Sequence, residues 1–298
     1  MSPSRFVAVG LDGSSESCAA ADWAAREARM SSLPLRVVHA DDLPPHSYVP
    51  FAGERVAPPG ADRSAALLRE SVTRLAHRHP GLPVEARRIP GHPASALVAV
   101  AEDSEVLVLG SRGLGRAAGF LLGSVAAAVV ARAGRPVVLV RAEAAAEYRT
   151  DAPGIGTTAY RDVVLGLDLD DPDDTVVAFA FEAAARRATG LRVVHGHGTS
   201  PHGDRGGTGA EQGPSTAEDE DGPSAVLAPW REKFPGVRVT EEAVVGRAGA
   251  HLVDASADAS LVVVGRRIRR TPLSPHIGPV TYAVLRRSMA PVAVVPHP

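Results

Sequence analysis

The chain has 298 residues, enough for two domains that each bury a core. Its net charge of −2 offers no basic field for nucleic acid or an anionic membrane, and aromatics at 4% leave few platforms for base stacking. No apolar run approaches the roughly 18 residues a membrane span needs, and the sole cysteine, Cys18, excludes an intrachain disulfide or a cysteine metal cluster.

The stretch MSPSRFVAVGLDGS enters a strand pattern directly, without a basic region followed by an apolar one. No signal peptide is expected, and a cytoplasmic location fits. The run FVAVGLD predicts a first strand. ESCAAADWAAREA then predicts an amphipathic helix, with Cys18 expected as a buried, inert thiol. LRVVHA predicts a second strand, followed by a polar, Pro/Gly-rich excursion and the helix SAALLRESVTRLAHRH. VEARRI reads as a strand, and PASALVAVAED as a helix that starts near Pro93 and Ala94. EVLVLG is an apolar strand, followed by the glycine-rich loop GSRGLGRAAGFLLGS. VAAAVVARAG predicts a helix with Ser124 as N-cap and Gly134 at its C′ position, before a last strand, RPVVLV.

The same order then repeats. Asp12 and His39 stand 156 residues before Asp168 and His195, and LRVVH is identical at 35–39 and 191–195. VLVLG ending at Gly110 and LVVVG ending at Gly265 stand 155 apart, as do RPVVLV and APVAVV. One net residue of length change over so long a stretch indicates duplication. The expected layout is a first domain at 1–143, a linker at 144–160 and a second domain at 161–298. The stretch 196–224 lacks apolar periodicity and is expected to be disordered or a lid. Its His197 and His202 form no convincing metal set.

Apolar strands with little alternation, interleaved with helices, predict a parallel sheet covered on both faces. Each half is therefore expected to be a doubly wound α/β domain of about five strands, the Rossmann-like architecture, with ligands beyond the strand C-termini. GLDGS and GSRGLG both lie there. In the loop, Gly110 ends a strand, Gly113 permits close backbone approach, and Gly123 and Ser124 precede a helix whose N–H groups attract anions.

This spacing, Gly-x2-Gly-x9-Gly-Ser at Gly110, Gly113, Gly123 and Ser124, resembles the nucleotide-binding branch of the universal stress protein family. The likeness covers nearly the whole chain, twice over, as in tandem members with an adenine nucleotide alpha hydrolase-like fold. It implies ATP as ligand, with or without magnesium. It implies that Asp12, with the backbone of Gly10 and Gly13, meets the adenine or ribose side, and that Ala40 borders the base. Gly110, Ser111, Gly113, Gly115, Gly123, Ser124 and Val125 are then expected around ribose and phosphates, with Arg112 and Arg116 adding charge or lying on a solvated loop face. The resemblance also implies that PVVLV and PVAVV pair within the chain, making a pseudo-dimer, and that two chains associate as a homodimer.

Other readings meet the same residues. A Walker loop fails because the only lysine is Lys233. The letters Gly113, Gly115 and Ala118 fit a dinucleotide fingerprint, but Gly119 and Gly123 would fall inside its helix. Arg141, after the next strand, leaves an NADP 2′-phosphate open. Asp41 and Asp42 are either a water-mediated magnesium site or solvated loop acids. His39 and His195 read as hydrogen-bonded structural histidines.

The second half departs from the pattern. Gly113 becomes Ile268, Ser124 becomes Pro279, Gly13 becomes Leu169 and Ser14 becomes Asp170, while Asp168, Gly265 and Gly278 remain. A weak or empty second site is expected, unless Arg266, Arg267, Arg269 and Arg270 hold phosphate as side chains. The function expected is an ATP-binding stress-response sensor or regulator. The alternatives are a slow ATPase or NADP-linked enzyme, or a structural module.

Overall fold

The structure, a computed structural model, describes residues 5–41, 61–111, 122–142, 160–197, 221–268 and 277–298. The first half runs β1 (Val7–Gly10), α1 (Ser15–Met30), β2 (Leu35–Asp41), α2 (Ala61–Arg78), β3 (Val84–Pro90), α3 (Pro93–Asp103), β4 (Val106–Gly110), α4 (Ser124–Arg132) and β5 (Val137–Val140). The second half repeats it as β6 (Val163–Leu167), α5 (Asp174–Arg186), β7 (Leu191–His197), α6 (Asp221–Lys233), β8 (Val239–Val245), α7 (Ala248–Ala255), β9 (Leu261–Arg267), α8 (Pro279–Arg287) and β10 (Val292–His297).

All strands of each half are parallel, and the sheet order is β3-β2-β1-β4-β5-β10-β9-β6-β7-β8. The central strands are apolar without alternation because both faces are covered: all four residues of β1 and of β5 are buried. The halves join where β5 meets β10 antiparallel, with Val138 opposite Ala293, so the PVVLV and PVAVV segments do pair within the chain.

That junction makes each core layer continuous. On one face Trp23, Leu35 and Leu75 share a cluster with Leu165, Phe181 and Leu191; on the other Leu107, Val129 and Leu139 join Leu252, Val262 and Val284. Each such side chain contributes about 1.5–3 kcal/mol on burial. Polar contacts also tie the halves. Glu27 of α1 accepts from Arg187 at 2.6 Å and Arg186 at 3.2 Å, both at the end of α5. Arg141 donates to the carbonyl of Leu285 at 3.1 Å, and Arg266 donates to the carbonyl of Ala133. Each arginine therefore serves carbonyls at the C-terminal end of the opposite half's helix, α8 or α4.

Three local expectations differ. Ser124 is the first residue of α4, and the extended Gly123 is its N-cap, its carbonyl accepting from Ala127 at 2.8 Å. Gly134 is not in the left-handed region. The chain leaves α4 extended at Ala133, and the Gly134 N–H donates to Glu102 Oε1 at 2.7 Å. A Cβ there would meet Glu102 Oε2 at 2.9 Å, so that glycine makes room for a carboxylate. Cys18 is half-buried, at the border of the apolar face of α1. The greater part of the 144–160 linker, and of the 196–224 stretch with His202, lies outside the described residues. Gly196 and His197 extend β7, and α6 begins at Asp221, with Pro229 inside it.

Candidate functional site

In the order β3-β2-β1-β4-β5, the chain reverses direction across the sheet between β1 and β4. Connections leave those two strands toward opposite faces, and a crevice opens beyond their C-terminal ends. A cleft of about 300 Å³ lies there, at the lower end of the range for small-molecule sites. Of the positions expected from sequence, Gly10, Asp12, Ala40, Gly110, Gly123, Ser124 and Val125 all line it.

One wall is the turn from β1 into α1. Leu11 N–H donates to the Val38 carbonyl at 2.8 Å, holding the turn against β2. Asp12 Oδ1 accepts from the Ser14 N–H at 2.9 Å and the Ser14 hydroxyl at 2.6 Å. Ser14 caps α1, its Oγ accepting from Ser17 N–H at 3.1 Å. Ser17 Oγ accepts from Asp12 N–H at 3.3 Å. The exposed Asp12 carboxylate is thus oriented by the helix start. Ser14 and Ser17 line the cleft as well; the sequence marks Ser14 only by its exchange to Asp170, and Ser17 not at all, although a serine just before a helix is a common N-cap signal.

The floor is apolar. Val38, Leu97 and Leu109 line it, with Pro93 at the start of α3. Gly10 lets Leu97 and Leu109 close over β1: an added Cβ would meet their methyl groups at 3.2 and 2.6 Å. The opposite wall is the N-terminus of α4, where the first-turn N–H groups have no helical acceptor and carry partial positive charge. An apolar slot thus leads from a carboxylate to an anion-attracting helix end.

At the end of β2, His39 Nδ1 lies 2.7 Å from the Leu11 carbonyl and its Nε2 3.4 Å from Asp41 Oδ1. That histidine is hydrogen-bonded, as the sequence reading expected. Asp41 is neither a magnesium ligand in waiting nor a solvated acid. It accepts from Arg88 at 2.8 and 2.5 Å and from Ser64 at 2.8 Å. Burial pushes its carboxyl upward, but the bonds from Arg88 and Ser64 and the charges of Arg88 and His39 outweigh this and hold it below 3.8. Asp42 lies outside the described residues. Among the described residues no group of three or more His, Cys, Asp or Glu is placed to hold a metal.

Two expected residues stand off the cleft. Gly13 takes a φ of +89°, a turn conformation, and its Cα faces Leu67. Ser111 is buried: its N–H donates to the Val140 carbonyl at 2.8 Å, and its hydroxyl lies 3.4 Å from the same oxygen. Arg112, Gly113, Gly115 and Arg116 lie outside the described residues. Gly110 has a role in packing: an added Cβ would stand 2.7 Å from the backbone C of Glu16 and the N of Ser17. The contact between β4 and α1 therefore excludes any side chain at 110, with or without a ligand.

The second half has a cleft at the matching place, of about 480 Å³. Asp168, Gly265 and Gly278 line it, as expected of the positions retained there. So do Asp170, Asp171 and Asp173. Arg267 is paired with Asp171, and Arg266 is buried against Ala133, its basicity lowered by desolvation. Arg266 is thus engaged away from the cleft, Arg267 lines it but is paired there with Asp171, and Arg269 and Arg270 lie outside the described residues. Arg141, the proposed partner of an NADP 2′-phosphate, is only 8% exposed and turned to the junction between the halves. That reading loses its cation.

The model of the universal stress protein family matches residues 4–141 and 159–296. Universal stress protein Rv2005c of Mycobacterium tuberculosis is 32% identical over 97% of this chain and 96% of its own length. Universal stress protein Rv2623 of the same organism is 30% identical over 97% and 95%. A crystal structure of a universal stress protein from Archaeoglobus fulgidus superposes with a TM-score of 0.69 at 17% identity, covering 98% of both chains, a likeness of fold.

Proposed function

This chain belongs to the universal stress protein family as a tandem of two such domains, and from that premise we propose that its first half binds ATP and reports it as a stress-response regulator. The observation that supports this best is the cleft between β1 and β4, with its apolar floor, Asp12 on one wall and the α4 N-terminus on the other. An adenine ring suits Val38, Leu97 and Leu109, close to Ala40. Ribose hydroxyls donate to Asp12. Phosphate oxygens accept from the N–H groups and hydroxyl at Ser124 and from Val125 N–H. Asp12 is the one carboxylate among the described lining residues, so a magnesium ion accompanying ATP relies mainly on the phosphates. The domains assigned are 1–143 and 161–298, joined at 144–160.

Bound nucleotide stabilises the folded chain by mass action, which gives the regulator its signal. The test is twofold. Nucleotide released from the denatured, freshly purified chain is identified, and ATP is titrated into the full chain by calorimetry. Release of ATP, ADP or AMP, or saturable ATP binding at millimolar concentration or below, supports the reading. Silence in both experiments ends it. Phosphate release during prolonged incubation with ATP separates the regulator from a slow ATPase.

A further inference from the structure

The two clefts are copies, so their differences at matched positions show what each selects. The base side is retained. Gly10, Leu11, Asp12 and Val38 correspond to Gly166, Leu167, Asp168 and Val194, and Leu97 and Leu109 to Leu252 and Val264. Ala40 becomes Gly196, which enlarges this side. The two polar walls carry the differences. Ser14, Ser15 and Ser17 become Asp170, Asp171 and Asp173. Pro279 stands where Ser124 stood, removing one N–H donor and the hydroxyl at the helix start.

Charge follows from these exchanges. The first cleft has one carboxylate among its described lining side chains, and the second has four. One of the four is offset by Arg267, the one arginine among the described residues of that lining. Asp173 caps α5, accepting from Thr175 N–H at 2.8 Å and Val176 N–H at 3.3 Å, with His297 Nδ1 at 3.8 Å. Asp168 Oδ1 accepts from Asp170 N–H at 3.2 Å. Asp168 and Asp170 are exposed on the lining of the second cleft; Asp168 matches the Asp12 of the first, and Asp170 is an added charge. Repulsion in such a concave site is focused, not dispersed.

We propose that the second cleft is a nucleoside site: it accepts an uncharged purine nucleoside and rejects the phosphorylated form. This rests on the reading of the first cleft as an adenine nucleotide site, since that reading identifies which side holds the base. The apolar floor and Asp168 recognise base and ribose. The acidic rim accepts a hydrogen bond from the free 5′-hydroxyl of a nucleoside, the one ribose donor that a 5′-phosphate ester lacks. One chain then senses both nucleotide and nucleoside.

The test uses the full chain, with ATP and adenosine as calorimetric titrants. Ala40→Leu fills the first cleft. Gly196→Leu fills the second, where a Cβ meets only Ala248 Cβ at 3.6 Å, an ordinary contact. Wild type is expected to bind one ATP and two adenosines per chain. Ala40→Leu should keep one adenosine and bind ATP at least tenfold more weakly than adenosine, about 1.4 kcal/mol. Gly196→Leu should lose the second adenosine and keep its ATP. The double variant D170S/D171S, which leaves the Asp173 cap intact and frees Arg267, should raise ATP stoichiometry to two. It tests the same idea if Gly196→Leu fails to fold. The proposal is overturned if Ala40→Leu binds no adenosine, if it binds ATP as tightly as adenosine, or if D170S/D171S leaves one ATP site. A wild-type chain that binds one ATP but a single adenosine refutes the second site alone. A chain that binds no adenine nucleotide refutes the parent reading and this one together.

Discussion

Gly110 invites two explanations, a phosphate clamp or a packing contact, and one substitution separates them. In Gly110→Ala the new Cβ meets two α1 backbone atoms at 2.7 Å, about 0.7 Å inside ordinary contact. Neither atom is the free end of a side chain, so α1 must move from β4 or the strand must bend. Overpacking of this kind costs about 1–3 kcal/mol. For a chain of this size the melting temperature should fall by roughly 2–5 °C. Thermal unfolding followed by circular dichroism, in dialysed protein without nucleotide, measures it. The matched Gly265→Ala should be milder, because its Cβ meets the His297 ring at 2.9 Å, a side chain that can turn aside. If Gly110→Ala melts within 1 °C of wild type while ATP affinity falls, the packing argument is wrong and the glycine serves the ligand.

Ser124→Asp should split stability from binding: a carboxylate at the first residue of α4 stabilises the helix by about 0.3–1 kcal/mol, yet should weaken ATP at least tenfold. A melting temperature and a titration on the same sample check both signs. Glu27→Gln leaves Arg187, whose side chain is 2% exposed, without its charge partner, and should cost about 3–5 kcal/mol in urea unfolding. Adding Arg187→Met should recover part of the loss, and an unchanged urea midpoint in the single variant would contradict the buried pair. The Asp41 carboxyl is held below 3.8, so its contribution is complete above that unfolded value and disappears as pH falls through the lower folded value. Asp41→Asn should therefore flatten the acid limb of stability below about pH 4. An identical limb in the two proteins would remove Asp41 from the account.

The periodicities of 2 and 3.6, the 155–156-residue offset and the apolar strands are local patterns, so the sequence alone determined two doubly wound halves, their strand and helix order, and the position of the cleft at the ends of β1 and β4. The exchanges to Leu169, Asp170 and Pro279 were equally legible, and they already said the halves differ. What could not be read locally was which groups meet across the fold. Whether a glycine serves a ligand or a neighbour depends on how closely α1 approaches β4, and for Gly110 that is 2.7 Å to a hypothetical Cβ. Whether Arg141 or Arg266 is free for phosphate depends on the β5–β10 junction, which buries both against helix-end carbonyls. Whether Asp41 is a free acid depends on Arg88, a residue of the next strand. Charge and freedom are properties of surroundings, and the tertiary structure supplied those. It left Asp12 exposed at an apolar slot in the first half and set three further aspartates beside its counterpart in the second.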